Sequence, residues 1–180
     1  AASSDKKGKT TYAKNITQAF LDGRRVITSA KGTKLSNSQR ASLRKYAAII
    51  EKNWEQTLAE AVFKYAGSCF KDLKKLKKAQ SSKFLGKYVK HWGELKGFSL
   101  ALQAGRKHLG ETATSLNRLI GFGPVMMNSS QVVDINSKGQ YVKDQSSDVD
   151  NYMVHMLKVQ KLMVDKFGVK ARANDALSGL

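Results

Sequence analysis

His91 and Glu94 are the two side chains in this chain whose types and spacing could best do chemistry. They stand in Lys90-His-Trp-Gly-Glu94, at the head of a largely apolar run that reaches Gln103. If that run is helical, positions i and i+3 lie side by side, so an imidazole and a carboxylate share one patch. Imidazole suits zinc, copper and iron, and a carboxylate adds a harder donor, so the cofactor read this way is a transition metal ion. Helical bundles build metal sites from such pairs, but two ligands do not complete one. His155 and Asp148 are candidates for the rest, with Glu55, Glu60 and Glu111 behind them. The plainer alternative makes His91 a hydrogen-bonded boundary residue and pairs Glu94 with Lys87 or Lys90. A metallohydrolase with Glu94 as general base would need a ligand set that cannot be named here.

The second constellation is one of charge. Residues 64–90 hold nine lysines and one acid, Asp72. Eight of them, Lys71, Lys74, Lys75, Lys77, Lys78, Lys83, Lys87 and Lys90, form a candidate polyanion-binding ridge. Phe70, Phe84, Tyr88 and Trp92 are interleaved. They are either stacking platforms for bases or core residues at core spacing. The whole chain carries 32 basic against 14 acidic residues, a net charge of +18. Self-repulsion of that size calls for counter-ions or an anionic partner: nucleic acid, an anionic surface or an acidic protein. The basic residues are 25 lysines and 7 arginines. Lysine is a hydrated point charge, whereas bidentate base recognition favours arginine, so the bias suits diffuse attraction over sequence reading. A homo-oligomer is a further expected partner state.

Other signals are weaker. Asp134-Ile-Asn136-Ser-Lys138-Gly139 matches a calcium loop at its first, third and sixth positions. Lys138 stands where the fifth should supply oxygen, and Gln145 replaces the acid at the twelfth. The same residues read more plainly as an Asx/Gly turn that needs no ion. Cys69 is the one cysteine, which excludes an internal disulfide framework and a cysteine-based metal cluster. No nucleophile elbow, P-loop, dinucleotide fingerprint or H-E-x-x-H is present.

These residues need helices to position them. One proline in 180 residues, with abundant Ala, Leu, Lys and Gln, favours helix. A first helix is expected over about 11–29, burying Ile16, Phe20 and Ile27. Ser36 and Gln39 form an S-x-x-Q capping box. They open a long helix whose stripe runs through Leu43, Tyr46, Ala47, Ile50, Trp54, Leu58, Ala61, Val62 and Tyr65. It is expected to reach Phe70, with 71–78 as its frayed end or a basic connection. Ser81 or Ser82 caps the next helix, whose stripe is Leu85, Tyr88, Trp92, Leu95, Phe98 and Leu102. Gly93 and Gly97 interrupt it, and the pair predicts close approach of a neighbouring helix. A short helix over 111–120 ends at Gly121-Phe-Gly-Pro124. Residues 121–146 hold an irregular loop or small hairpin with Ser-Lys-Gly at its tip. A last helix starts near Ser147, favoured by Asp148 and Asp150, and ends at Gly168.

The fold class is therefore all-α: a bundle of about four main helices plus the short one. The domain reading is a flexible basic arm over 1–9, one bundle over 10–170, and a loose tail over 171–180. The longest charge-free stretch, Leu119 to Val133, is too short and too polar to span a membrane. The Ala-Ala-Ser-Ser start suits cleavage after a small-residue signal site, or marks a fragment.

Three segments together carry a likeness. They are Phe20-Leu-Asp-Gly-Arg-Arg-Val-Ile27, then Ile50-Glu-Lys-Asn-Trp54 with Ala59-Glu-Ala-Val62, then His91-Trp-Gly-Glu94-Leu-Lys-Gly-Phe98. The pattern, over about 10–105, resembles a bacterial envelope family of unknown function that is distantly similar to imelysins. Imelysins carry Gly-x-His-x-x-Glu on a bundle helix. His91 and Glu94 match its last two fixed positions, and Val89 stands where the glycine would be. The resemblance implies an extracytoplasmic, non-enzymatic helical protein that binds a metal or a partner through the His91/Glu94 face. The basicity is not expected of that family. It supports the alternative of a structural or packaging protein, intracellular or virion-borne, that binds nucleic acid or another polyanion without sequence specificity.

Overall fold

A computed structural model describes residues 2–79, 82–105, 108–128, 130–144 and 148–179. It is predominantly helical: α1 Ala2–Lys6, α2 Tyr12–Ser29, α3 Asn37–Ala79, α4 Ser82–Gln103, α5 Glu111–Ile120 and α6 Val149–Phe167. A two-stranded antiparallel hairpin, β1 Gln131–Ile135 with β2 Tyr141–Asp144, lies between α5 and α6, and a 3-10 turn, Leu177–Gly179, closes the chain. The all-α bundle with one short helix and a small hairpin is what the sequence predicts. The chain divides into two compact units, residues 1–57 and 58–180, where a single domain over 10–170 is the expectation.

In the first unit the segment expected to be a flexible arm is ordered as α1. The Asp5 carboxylate explains this: it accepts from Thr10 Oγ1 at 2.5 Å and from the backbone N–H groups of Tyr12 and Lys14, each at 3.0 Å. It thereby satisfies donors at the start of α2 that no helical carbonyl can reach. The capping box at α3 forms in both directions. Ser36 N–H donates to Gln39 Oε1 at 2.8 Å, and Gln39 N–H donates to Ser36 Oγ at 3.1 Å. Between α2 and α3, Asn15 Nδ2 donates to Asn53 Oδ1 at 3.0 Å. The side chains buried on α2 are Tyr12 and Ala19, not the larger ones. Ile16 is half-buried, and Phe20 and Ile27 are exposed, as is Trp54 on α3.

In the second unit the core joins the later turns of α3 to α4, α5 and α6. Phe63, Leu73, Tyr88, Leu95, Leu116, Ile120, Tyr152, Met156 and Met163 are fully buried. Each such aliphatic or aromatic side chain contributes about 1.5–3 kcal/mol by leaving water. The basic run after Phe70 stays helical to Ala79 because Leu73 and Leu76 continue the buried stripe. Tyr88, Leu95 and Leu102 are the buried positions of α4, with Leu85, Trp92 and Phe98 packed beside them. Gly93 and Gly97 do not mark a close approach, since a Cβ at either would meet nothing within 4 Å.

The C-terminal residues are not loose. Glu60 accepts backbone N–H groups from Lys170 at 2.5 Å, Ala171 at 2.8 Å and Arg172 at 3.2 Å. Buried Gln160 donates to Phe63 O at 2.9 Å and accepts from Ala176 N–H at 2.9 Å. The tail lies so close to α3 that a Cβ on Gly67 would stand 1.9 Å from Asn174 O.

Candidate functional site

Asp72 lies on the inward side of α3, between Leu73 and the exposed lysines, and its carboxylate meets His91 Nδ1 at 2.5 Å. The acid is 9% exposed and the imidazole 28%, so the pair spans the boundary between core and solvent. With the carboxylate ionised, Nδ1–H donates to it and Nε2 is the nitrogen left for another partner. The His91 ring lies 5.9 Å from that of Tyr65, which stacks on Phe98 at 5.5 Å. The Lys64 ammonium stands 4.7 Å from the centroid of the same Tyr65 ring. His91 is therefore the hydrogen-bonded boundary residue of the plainer reading, with Asp72 as its partner. Glu94, half-buried one turn along α4, forms no ion pair with Lys87 or Lys90.

Cys69 lies one turn before Asp72, fully buried. Burial pushes its thiol pKa well up, and the negative charges of Asp72 and Glu94 push it further. A nucleophilic cysteine needs the opposite surroundings, so Cys69 and His91 do not form a thiolate pair.

The other expected ligands are employed elsewhere. Asp148 is the N-cap of α6, accepting from Asn151 N–H at 2.7 Å and from Asn151 Nδ2 at 3.0 Å. His155 packs edge-on to Tyr152 at 6.0 Å, and its pKa is lowered by burial and then by Lys158. Glu60 holds the C-terminal segment, and Glu111 occupies the first turn of α5. Among the described residues no three His, Cys, Asp or Glu side chains gather closely enough to hold a metal ion. The calcium-loop likeness resolves into a turn. Asn136 Oδ1 accepts from Lys138 N–H at 3.0 Å and Gln140 N–H at 2.9 Å, while Gln145 lies outside the described residues.

All eight ridge lysines are exposed: Lys71, Lys74, Lys75, Lys77 and Lys78 on α3, and Lys83, Lys87 and Lys90 on α4. Lys77 pairs with Asp150. The interleaved aromatics do not stand among them as open platforms. Tyr88 is fully buried, Phe70 and Phe84 are half-buried, and Trp92 Nε1 donates to Tyr152 Oη at 2.8 Å. That hydroxyl donates in turn to Ile120 O at 2.7 Å. Lys96 turns away from the ridge to donate to Gly121 O at 2.9 Å, and burial lowers its pKa. Sequence reading missed the part played by Asp72. Its signal was present, a lone acid in a lysine run at helical spacing from buried Leu76 and Cys69.

Ser81 and Ser147, expected at helix starts, lie outside the described residues. Among the described residues no helix is long and apolar enough to cross a membrane. Comparison with family models, with curated proteins and with solved structures finds no match to this chain.

Proposed function

We propose that this chain is a non-enzymatic, imelysin-like helical binding protein of the cell envelope that holds an anionic partner on the lysine ridge of α3 and α4. The observation that carries the reading is the exposure of all eight ridge lysines, with Lys77 alone in an ion pair among the described residues. Ammonium groups on two consecutive helices attract a polyanion backbone through its charge and the counter-ions it releases. The preference for lysine over arginine supports binding without sequence reading. The extracytoplasmic setting rests on the three resembling segments. The absence of an activated nucleophile around His91 supports a binding role over a catalytic one.

The test is binding of heparin and of single- and double-stranded DNA at low salt, to the native protein and to Lys74→Gln/Lys75→Gln/Lys78→Gln. The reading expects binding of all three polyanions and loss of at least about tenfold in affinity in the variant. Equal binding by both proteins would move the contact off the ridge.

A second reading places a metal ion or a partner group on the His91/Glu94 face. What favours it is His91 Nε2, left over once Nδ1 is bonded to Asp72. Metal analysis of purified protein, with His91→Ala as control, tests it. Bound zinc, copper or iron that disappears in the variant supports this reading. No bound metal, with a melting temperature unmoved by adding these ions, contradicts it.

A further inference from the structure

The first unit leaves an apolar groove open between its two long elements. Phe20, Gly23 and Ile27 of α2 face Leu43, Ala47 and Ile50 of α3 across a space of about 330 Å³. Both walls repeat at three- and four-residue steps, so the groove runs straight for about two helical turns. Phe20 is 61% exposed, Ile27 58%, and Trp54, one turn beyond Ile50, 58%. Three large apolar side chains on one small unit are costly to leave in water and mark an interaction surface.

The charges beside the groove are mostly basic, with Glu51, one turn after Ala47 on α3, the exception. Arg24 lines it and makes no ion pair among the described residues. Arg44 lies one turn before Ala47 and is exposed. Lys31, in the turn that follows α2, is exposed. Asp22, the nearest acid on α2, is already bonded to Arg25 at 2.9 Å. Over residues 1–57 there are twelve basic and four acidic residues.

We propose that this groove receives an acidic amphipathic helix from a partner protein, which packs against α2 and α3. The groove's shape and charge together select this occupant. A small amphiphile needs most of its surface enclosed, and walls as exposed as Phe20 and Ile27 cannot enclose it. A second copy would bring another positive rim against the first, which costs affinity. A helix with apolar residues at i, i+3, i+4 and i+7 fills a two-helix groove, and glutamates on its flanks meet Arg24, Arg44 and Lys31. This surface lies in the first unit and is independent of the lysine ridge.

The probe is a fluorescent, end-blocked peptide of about 15 residues with leucines at that spacing and glutamates on its flanks. It is titrated into the full chain beside a scrambled peptide of the same composition and a version with lysine flanks. The proposal expects the acidic amphipathic peptide to bind at least about tenfold tighter than either control. It also expects an equal loss in Ile27→Glu and in Ala47→Glu, both at exposed positions, and none in the triple ridge variant. Equal binding of the scrambled peptide would reduce the effect to charge alone and overturn the proposal. So would loss in the ridge variant with none in Ile27→Glu. Dimerisation of the chain abolished by Ile27→Glu would assign the groove to a second copy, and peptide displacement by a fatty acid would assign it to an amphiphile.

Discussion

Gly67 and Gly93 occupy the interiors of helices, yet they have opposite surroundings. Gly67 faces the carbonyl of Asn174, 1.9 Å from where a Cβ would stand, whereas Gly93 faces nothing within 4 Å. Gly67→Ala should therefore cost about 2–3 kcal/mol, because the obstacle is backbone and cannot swing aside. Gly93→Ala should gain about 0.5–1 kcal/mol from helix propensity alone. Urea unfolding of the two variants beside the native protein measures both, and a gain at Gly67 would contradict the docked tail. Gln160 makes the same point with polar groups. Its amide serves Phe63 O, Asn174 O and Ala176 N–H while wholly buried. Gln160→Leu strands those backbone groups and should cost about 2–3 kcal/mol in the same assay. At this scale the sequence showed where helix-interior glycines are but not what stands beside them. Gly93 and Gly97 looked special by spacing, and the crowded glycine lay unremarked between Ala66 and Ser68.

Helix ends were the most legible elements, because a cap needs only residues within one turn of one another. The Ser36/Gln39 box and left-handed Gly168 after α6 form as their spacing predicts, and Asp148, expected in the first turn of α6, is its N-cap. The N-terminal cap was not legible, because Asp5 acts across an intervening turn. The Asp5 carboxyl feels a burial penalty that raises its pKa. The hydrogen bonds from Thr10, Lys14, Ala13 and Tyr12 outweigh it and leave the pKa below the usual carboxylate value. A depressed folded-state pKa means the bonds stabilise the protein above the ordinary carboxylate range and are lost as pH falls through the depressed value. Protection factors for the Tyr12 and Lys14 amides should therefore hold at neutral pH and collapse as pH falls through the depressed Asp5 value, and Asp5→Ala should remove them at every pH. Protection indifferent to both changes would mean that α1 does not cap α2. Burial along α2 was misread for a related reason. Periodicity identifies an apolar face but not whether a partner covers it, and Phe20 and Ile27 lie on a face left open.

The whole molecule combines a well-packed second unit with a charge far from neutral. The all-α class was readable because composition, stripes and caps agree with one another. The candidate site was half-readable. His91 and Glu94 share one helix as expected, but the acid that holds His91 comes from α3, and only folding brings them together. Of the lysine ridge, the exposure was readable, since exposure is the default for lysine, and only the pairing of Lys77 with Asp150 needed the fold. Its aromatics were not readable, because core spacing and stacking spacing coincide on a helix.

On the proposed function, the ridge lysines bind a polyanion through its charge. The affinity of the full chain for single-stranded DNA, measured from low to physiological salt, tests it most directly. The proposed function predicts a linear fall of log affinity with log salt, at about −0.7 per phosphate engaged, little affected by base sequence. It also predicts a slope shallower by about 2 in Lys74→Gln/Lys75→Gln/Lys78→Gln. A flat salt dependence, or a steep one that the triple variant leaves unchanged, would contradict it.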